Sequence, residues 1–348
     1  MITILLHTGE RRSRVEEPLT YAGFDVVGIP EKHMKSNKVI KLFYLVKILI
    51  KEDPDLIVID SAGLMCISTY ILSFLFRIPL VIRARANIWA IYEEQKGYQG
   101  SARRIYEGLL LTFCTHIYRK AARIFSISEY LKTVMIKKGI EESKIYIMRI
   151  SINYNRFKPL KSEKKSINLL SVVNFTYKMK TQGLLDILPE VDELISRYPI
   201  EYFIAGRGRF SSLLEDAIDG MKHPDRIHYV GFEKAIETLF SQADIYLHYS
   251  HLDAYPAAVL EAMSSGLPVV ASRSGGMVEQ IDHEVTGFLV DDPSTFRNAV
   301  ERLIDNEKLR REMGKKGRAY VKDSCTVPSI SRQYERGIEG ITKEKKNL

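Results

Sequence analysis

Short runs rich in Val, Ile and Leu recur along the chain and alternate with longer stretches whose apolar positions return at helical spacing. Such short runs are expected of strands buried on both faces, and the longer stretches of helices laid across them. In the first half the pattern predicts strands at 2–6, 25–28, 56–59, 79–83, 123–126 and 145–148, with helices at 36–51, 62–76, 101–120 and 128–138. A second series follows, with strands at 168–173, 201–205, 227–230, 244–248, 268–271 and 288–290 and helices near 182–197, 211–218, 235–241, 257–265, 294–304 and 307–322. Strand, helix and strand in regular succession build parallel sheets covered on both sides, so the fold class is α/β.

The 348 residues exceed what one hydrophobic core usually organises, which makes two domains the expectation. The break falls in the polar, charged stretch from Asn153 to Lys165, which contains Pro159 and shows no periodicity. This gives a Rossmann-like domain over 1–160, a second over 161–325, and a terminal helix within 326–348 that crosses back to the first domain before a frayed basic tail. Two doubly wound sheets in series commonly take ligand in a cleft between them, at the carboxyl ends of the strands. The loops there are where chemistry is sought.

Charge changes the picture for the first half. Residues 1–160 carry 25 Lys and Arg against 15 Asp and Glu, and residues 161–348 carry 26 against 28, so the net charge of +8 resides in the first half. An anionic membrane surface or phosphorylated lipid is one implication, and solvated charge for solubility is the plain alternative; nucleic acid is not expected. The stretch 36–51, apolar with four lysines, fits a membrane-surface helix. Its lysines do not share one side, as snorkelling around a buried helix would also produce. The longest apolar run, 61–76, is shorter than the roughly 20 residues that cross a bilayer. The start shows no basic leader, and Cys66, Cys114 and Cys325 lack the spacing of a disulfide framework or thiolate metal site. A cytoplasmic location, free or on the cytoplasmic face of a membrane, is expected.

Candidate chemistry concentrates in one stretch. His248 to Pro256 leads from a strand into the helix 257–265, Gly266 stands where a helix ends, and Leu267-Pro268-Val269-Val270-Ala271 returns as a strand before Gly275-Gly276. Asp253 is thereby placed in a loop at a strand's end and Glu261 about one turn inside a helix. Ionised carboxylates so placed can accept hydrogen bonds from sugar or ribose hydroxyls. The Gly275-Gly276 turn can bring bare N–H groups against a phosphate or a hexose. Singly, an acid on a helix is usually a solvated residue and a Gly pair usually only a turn; their conjunction carries the reading.

These residues resemble the retaining glycosyltransferases of family 4, which have the GT-B fold of two Rossmann-like, doubly wound parallel-sheet domains facing a central cleft. The shared signature is an acid, seven residues and a Glu, with an aromatic and a Pro between them, then Gly-x-Pro-Val-Val-Ala and a Gly-Gly-x-x-Glu turn. Here it reads Asp253, Tyr255, Pro256, Glu261-Ala262-Met263, Gly266, Pro268 to Ala271, Gly275-Gly276 and Glu279. Likeness of some kind runs from about 123 to 322, including the junction Met148 to Pro159. The resemblance implies that Glu261 holds the ribose hydroxyls of a donor. Asp253, the backbone of Tyr255, Pro256 and Ala257, and Gly275-Gly276 would hold the transferred sugar. Asp253 departs from the family's usual Glu and is shorter by roughly 1.5 Å, which bears on sugar preference and turnover.

Relatives also carry an Arg and, about five residues on, a Lys after the first strand of the second domain. Asn174 stands at the Arg position, and the Lys role falls first to Lys180 and then to Lys178. Arg207, within Gly206-Arg207-Gly208, would supply the missing guanidinium to the departing diphosphate. Gly231-Phe232 lies where relatives cradle the base. On the acceptor side stand Gly9, in a loop where relatives carry a double Gly, and Arg83, Arg85 and Asn87 after the fourth strand, with an ion-paired loop as the equal alternative for the arginines. His248-x-x-His251-x-Asp253 has metal-ligand residue types, but a strand running into a loop does not bring all three together, so no metal and no cofactor besides the donor are expected.

The resemblance implies transfer of a hexosyl unit from a nucleoside diphosphate sugar to a hydroxyl of a glycan or lipid-linked glycan, in polysaccharide, glycolipid or glycoprotein-glycan synthesis. An epimerase or phosphorylase of the same architecture would need a base at the sugar's C2 or a cofactor-binding lysine, and neither is recognisable. A nucleotide-sugar-binding protein whose Asp253 has weakened turnover is the non-enzymatic alternative.

Overall fold

The computed structural model describes residues 1–8, 13–30, 33, 36–60, 62–159 and 166–341. The chain forms two compact units, one of Met1–Ser151 with Val327–Leu348 and one of Ile152–Thr326.

In the first unit, strands β1 (Thr3–Thr8), β2 (Asp25–Gly28), β3 (Leu56–Asp60), β4 (Leu80–Ala84), β5 (Arg123–Ser126) and β6 (Ile145–Ile147) make a parallel sheet in the order β2-β1-β3-β4-β5-β6. Every residue of β3 and β4 is buried, which is why they read as unbroken apolar runs. Helix α1 (Ser13–Tyr21) carries the chain outward from β1 to β2. The connections holding α2 (Lys38–Glu52), α3 (Leu64–Leu75), α4 (Ile88–Lys96) and α5 (Ser101–Lys120) all step the other way. Right-handed crossovers therefore set α1 on one face of the sheet and α2, α3 and α5 on the other. Asn37 starts α2 by accepting from Ile40 N at 2.9 Å, and Ser128 caps α6 (Glu129–Lys137) in the same way.

The face behind α1 is completed from the far end of the chain. Helix α13 (Val327–Ile338) packs on α1, and its Ile330, Tyr334 and Ile338 share a core with Ile4, Leu6, Leu56, Val58, Val81 and Phe125. Tyr334 meets Phe125 edge-on at 5.6 Å.

In the second unit, β7 (Ile167–Asn174), β8 (Ile200–Arg207), β9 (Ile227–Gly231), β10 (Ile245–His248), β11 (Val269–Ser272) and β12 (Gly287–Val290) form a second parallel sheet in the order β12-β11-β10-β7-β8-β9. Around it lie α7 (Lys178–Ile195), α8 (Ser211–Asp219), α9 (Ile236–Gln242), α10 (Ala257–Ser264), α11 (Pro293–Asp305) and α12 (Glu307–Ser324). The chain runs outward from β7 through β8 and β9, then begins again on the other side of β7 with β10. Strands β7 and β10 thus flank the switch point of the sheet, where the loops leaving their carboxyl ends diverge and leave a crevice.

All twelve expected strands are present. Three differences concern helices and the boundary. Helix α1 contains Pro18 and buries only Val15, Pro18 and Leu19, and α4 buries only Trp89, so neither shows an apolar period in the sequence. Helix α7 begins at Lys178 rather than 182, which moves Lys178 and Lys180 from a loop into a first helical turn. The boundary between units lies at Ser151/Ile152, ahead of the stretch taken as a linker. Ile152 N donates to Cys325 O at 2.7 Å and Phe157 packs edge-on against Phe240 at 5.5 Å, so this part of the stretch is built into the second unit.

Replacing Tyr334 by Ala removes a fully buried ring from the first core and is expected to cost about 3 to 5 kcal/mol, read from urea unfolding; a loss under about 1 kcal/mol would mean that α13 is not part of that core.

Candidate active site

The site is built where β7 and β10 end. Helix α7 presses so closely on the chain after β10 that a Cβ at Gly183 would lie 2.5 Å from Tyr249 O and 2.8 Å from Ser250 Cα. That approach brings Lys180, one turn earlier on the same helix, against Asp253. Lys180 Nζ donates to Asp253 Oδ1 at 2.5 Å and His248 Nε2 lies 3.1 Å from Oδ2, so each oxygen has its own nitrogen partner. The Asp253 side chain is 9% exposed and that of Lys180 20%. Burial by itself raises the Asp253 carboxyl, but the Lys180 ammonium and the His248 hydrogen bond outweigh it and hold the group well below the usual carboxylate range.

Behind His248 stands Tyr246, on the same strand. Its hydroxyl lies 3.3 Å from His248 Nδ1 and 3.4 Å from Val172 O. The phenol can donate to Nδ1, which leaves Nε2 as the ring nitrogen that donates to Asp253. Burial drives the Tyr246 hydroxyl well above its ordinary value, and the charges of Glu261 and Asp253 push it further. Glu261, itself 8% exposed, lies in the second turn of α10, the helix that begins directly after the Asp253 loop.

The loop bearing Asp253 is pinned from below. Ser272 Oγ accepts from Ser250 N and donates to Ser250 O, both at 3.0 Å, and Ser274 Oγ donates to Ser250 O at 2.7 Å. A Cβ at Gly275 would fall 1.9 Å from Asp253 O and one at Gly276 would fall 1.8 Å from Ala254 O. The Gly276 N–H donates to Asp253 O at 3.1 Å. This corrects the expectation of a bare Gly-Gly turn facing a ligand: at Gly276 the N–H is already used, and the glycines are required because the turn supports the Asp253 loop at backbone contact. Tyr255 and Pro256 are buried above it, and Pro256 O accepts from Gln280 Nε2 at 3.0 Å. Pro256 is the N-cap of α10 and Ala257 its first residue.

Residues 153–320 match the model for glycosyl transferases group 1, and residues 2–156 match the model for Glycosyltransferase Family 4. The chain belongs to glycosyltransferase family 4. N-acetyl-alpha-D-glucosaminyl L-malate synthase of Bacillus anthracis is 26% identical over 189 residues, 53% of this chain and 48% of that one, so the match spans about half of that relative. Among solved structures, Anabaena HepE in complex with UDP-glucose superposes with a TM-score of 0.74 at 17% identity over 100% of both chains. The sucrose-phosphate synthase of Thermosynechococcus elongatus superposes with 0.78 at 18%, covering 97% of this chain and 98% of that one. The shared fold is GT-B.

Within this family 4 glycosyltransferase the remaining expected residues separate. Lys178 is exposed at the first position of α7, while Lys180 is the one that reaches Asp253. The Asn174 side-chain oxygen accepts from Thr176 N at 3.0 Å. Arg207 ends β8 in register with Asn174, and its guanidinium lies over the exposed ring of Phe232 at 4.2 Å. Gly206 and Gly208 are required by the close passage of β7 and the chain after it, since their Cβ atoms would meet Val173 O at 1.8 Å and Phe175 C at 2.1 Å. Gly231, with φ +67, lets the chain turn after β9 into Phe232. His251 Nε2 turns away to Asp186 Oδ2 at 2.6 Å, so His248 and His251 do not converge with Asp253.

In the first unit the expected acceptor-side arginines are used internally. Arg83 is 4% exposed and its Nη1 donates to Asp60 Oδ2 at 3.1 Å beneath Tyr334, while half-exposed Arg85 pairs with Asp60 Oδ1. Asn87 caps α4 through Ala90 N and donates to the Tyr130 hydroxyl at 3.1 Å. For Arg83 this is the ion-paired alternative, and for Asn87 the side chain serves as a helix cap. Gly9 lies outside the described residues.

His248, Tyr246, Gly183 and the serines at 250, 272 and 274 were not legible as site residues, apart from His248 in the metal pattern. A lone Gly inside a helical stretch was the one available signal, since it marks a close approach.

Because the Asp253 carboxyl is held below its ordinary value of 3.8, its charge contributes stability that is fully present above that pH and is lost as pH falls through the lowered folded value. Asp253→Asn is expected to lose about 3 kcal/mol at neutral pH, with the gap to the parent narrowing as urea unfolding is repeated below pH 3.8. A gap that stays constant would remove the ion pair from the account.

Proposed function

We propose that the protein moves a hexosyl unit, with retention at the anomeric carbon, from a nucleoside diphosphate sugar to a hydroxyl of a glycan or lipid-linked glycan. The observation that carries this reading is the buried Asp253 held between Lys180 and His248 at the switch point of the second sheet, with Glu261 on the helix that follows its loop. An ionised carboxylate offers about four acceptor sites. With one nitrogen on each oxygen, Asp253 keeps capacity to receive sugar hydroxyls while being fixed in place.

Lys180 stands at the first turn of α7, where the helix's partial positive charge adds to its own and no acid intervenes. A diphosphate leaving group there gains stabilisation as its charge develops. Glu261 receives the ribose hydroxyls. The sugar's C1–O bond to the diphosphate breaks, the acceptor oxygen bonds to C1 on the same face, and the acceptor's proton passes to the leaving phosphate oxygen. Asp253, with both oxygens already engaged by cation and imidazole, serves as a holder of the sugar rather than as a nucleophile. The HepE structure, a chain of the same fold, contains UDP-glucose, which supports a nucleotide-sugar donor. Cytoplasmic activity without a bound metal is part of the same reading.

A thermal-shift screen against UDP-, GDP-, ADP- and dTDP-sugars should find one donor that raises the melting temperature, because a ligand bound only by the folded state stabilises it. Glu261→Ala should weaken that donor about 10- to 100-fold through the lost charge-assisted hydrogen bonds. No stabilising nucleotide sugar, or an unchanged affinity in Glu261→Ala, would sink the reading, and a product of opposite anomeric configuration by proton NMR would sink retention.

A further inference from the structure

Three neighbouring helices of the first unit carry apolar side chains on the side that faces away from the sheet. Helix α3 packs against α2 and α5, and all three lie on the same face of that sheet. On α2, Phe43 and Ile50 are 65% and 69% exposed; on α3, Ile71 and Phe74 are 51% and 76%; on α5, Leu109 and Phe113 are 56% and 57%. Each pair is spaced three, four or seven residues apart, so each forms one outer stripe of its helix. Among the described residues, twelve of the twenty-two large hydrophobics that are exposed belong to these three helices. Scattered apolar residues need no explanation, but a concentration of this kind marks an interaction surface.

The charges on the same helices say what would cover it. Helix α2 carries Lys38, Lys41, Lys47 and Lys51 against Glu52 alone, and α5 carries Arg103, Arg104, Arg119 and Lys120 against Glu107 alone; α3 carries none. Of these, Lys47 and Lys51 lie on or beside the stripe of Phe43 and Ile50 and Lys120 lies on that of Leu109 and Phe113, all three exposed, whereas Lys38 and Lys41 lie on the opposite side of α2. A second copy seated face to face would oppose these cations to their equals, which disfavours self-association. Apolar rings interleaved with lysines complement an anionic lipid surface, where rings enter the acyl boundary and ammonium groups stay among the phosphates. None of the described helices is long and apolar enough to cross a membrane.

We propose that the α2–α3–α5 face docks the protein on a bilayer rich in anionic lipid, lying on it and not spanning it. This inference is independent of the sugar-transfer reading, since it rests on the first unit alone. A lipid-linked acceptor would be presented at the same surface.

Flotation of the full-length protein with vesicles at physiological salt tests it. The parent should float with vesicles of phosphatidylcholine and phosphatidylglycerol and stay behind with phosphatidylcholine alone. The triple variant Phe43→Ser, Phe74→Ser, Phe113→Ser and the double variant Lys47→Gln, Lys120→Gln should each bind the anionic vesicles at least about tenfold more weakly. All of the changed side chains lie on the outside of the unit or at its rim, and unchanged melting curves confirm that the variants fold. A parent that fails to float with anionic vesicles, or variants that float as the parent does, would overturn the proposal. So would light scattering that shows a dimer abolished by the triple variant, because a second copy would then occupy the face.

Discussion

The ion pair between Lys180 and Asp253 is the constraint on which the second unit's site depends. A carboxylate this buried stays charged only with a cation against it, and that cation comes from a helix on the far side of the switch point. Bringing the two together requires α7 to touch the chain after β10 at backbone distance, which only glycine at 183 permits. The same loop must be held from the other side, and Gly275, Gly276, Ser272 and Ser274 do so. Local sequence choices that look unrelated are thus set by one electrostatic contact.

The first unit contains a similar set of residue types with a different outcome. Arg83 and Asp60 also meet at strand ends, but they do so under Tyr334 with almost no exposure, so the pair is part of the core that receives α13. Lys180 keeps a fifth of its side chain accessible, and Asp253 retains acceptor capacity toward the crevice. Exposure, rather than residue identity, separates a charge that can meet a ligand from one that holds the fold.

Much of this was legible in the sequence, for physical reasons. Strands buried on both faces must be apolar throughout, so all twelve stand out, whereas α1 and α4 bury too few residues to show a period. The stretch from Asp253 to Glu279 is local, and its strand, loop and helix could be placed from Pro256 and Gly266. The Lys180 and His248 contacts could not, because they join residues through the fold or look like a metal pattern. Arg207 between two glycines resembled a phosphate ligand, and only the structure lays it on Phe232. The serines at 250, 272 and 274 gave no signal, since nothing distinguishes a loop serine that braces a backbone from one that faces water.

The central claim is that Asp253 holds the cation that receives the donor's diphosphate. Calorimetric titration of the nucleoside diphosphate, without sugar, into the parent and Asp253→Asn tests it most directly. If Asp253 competes for Lys180, removing its charge should tighten binding of the bare diphosphate while turnover of the intact donor falls. Weaker diphosphate binding in Asp253→Asn, or no change in either quantity, would contradict the account.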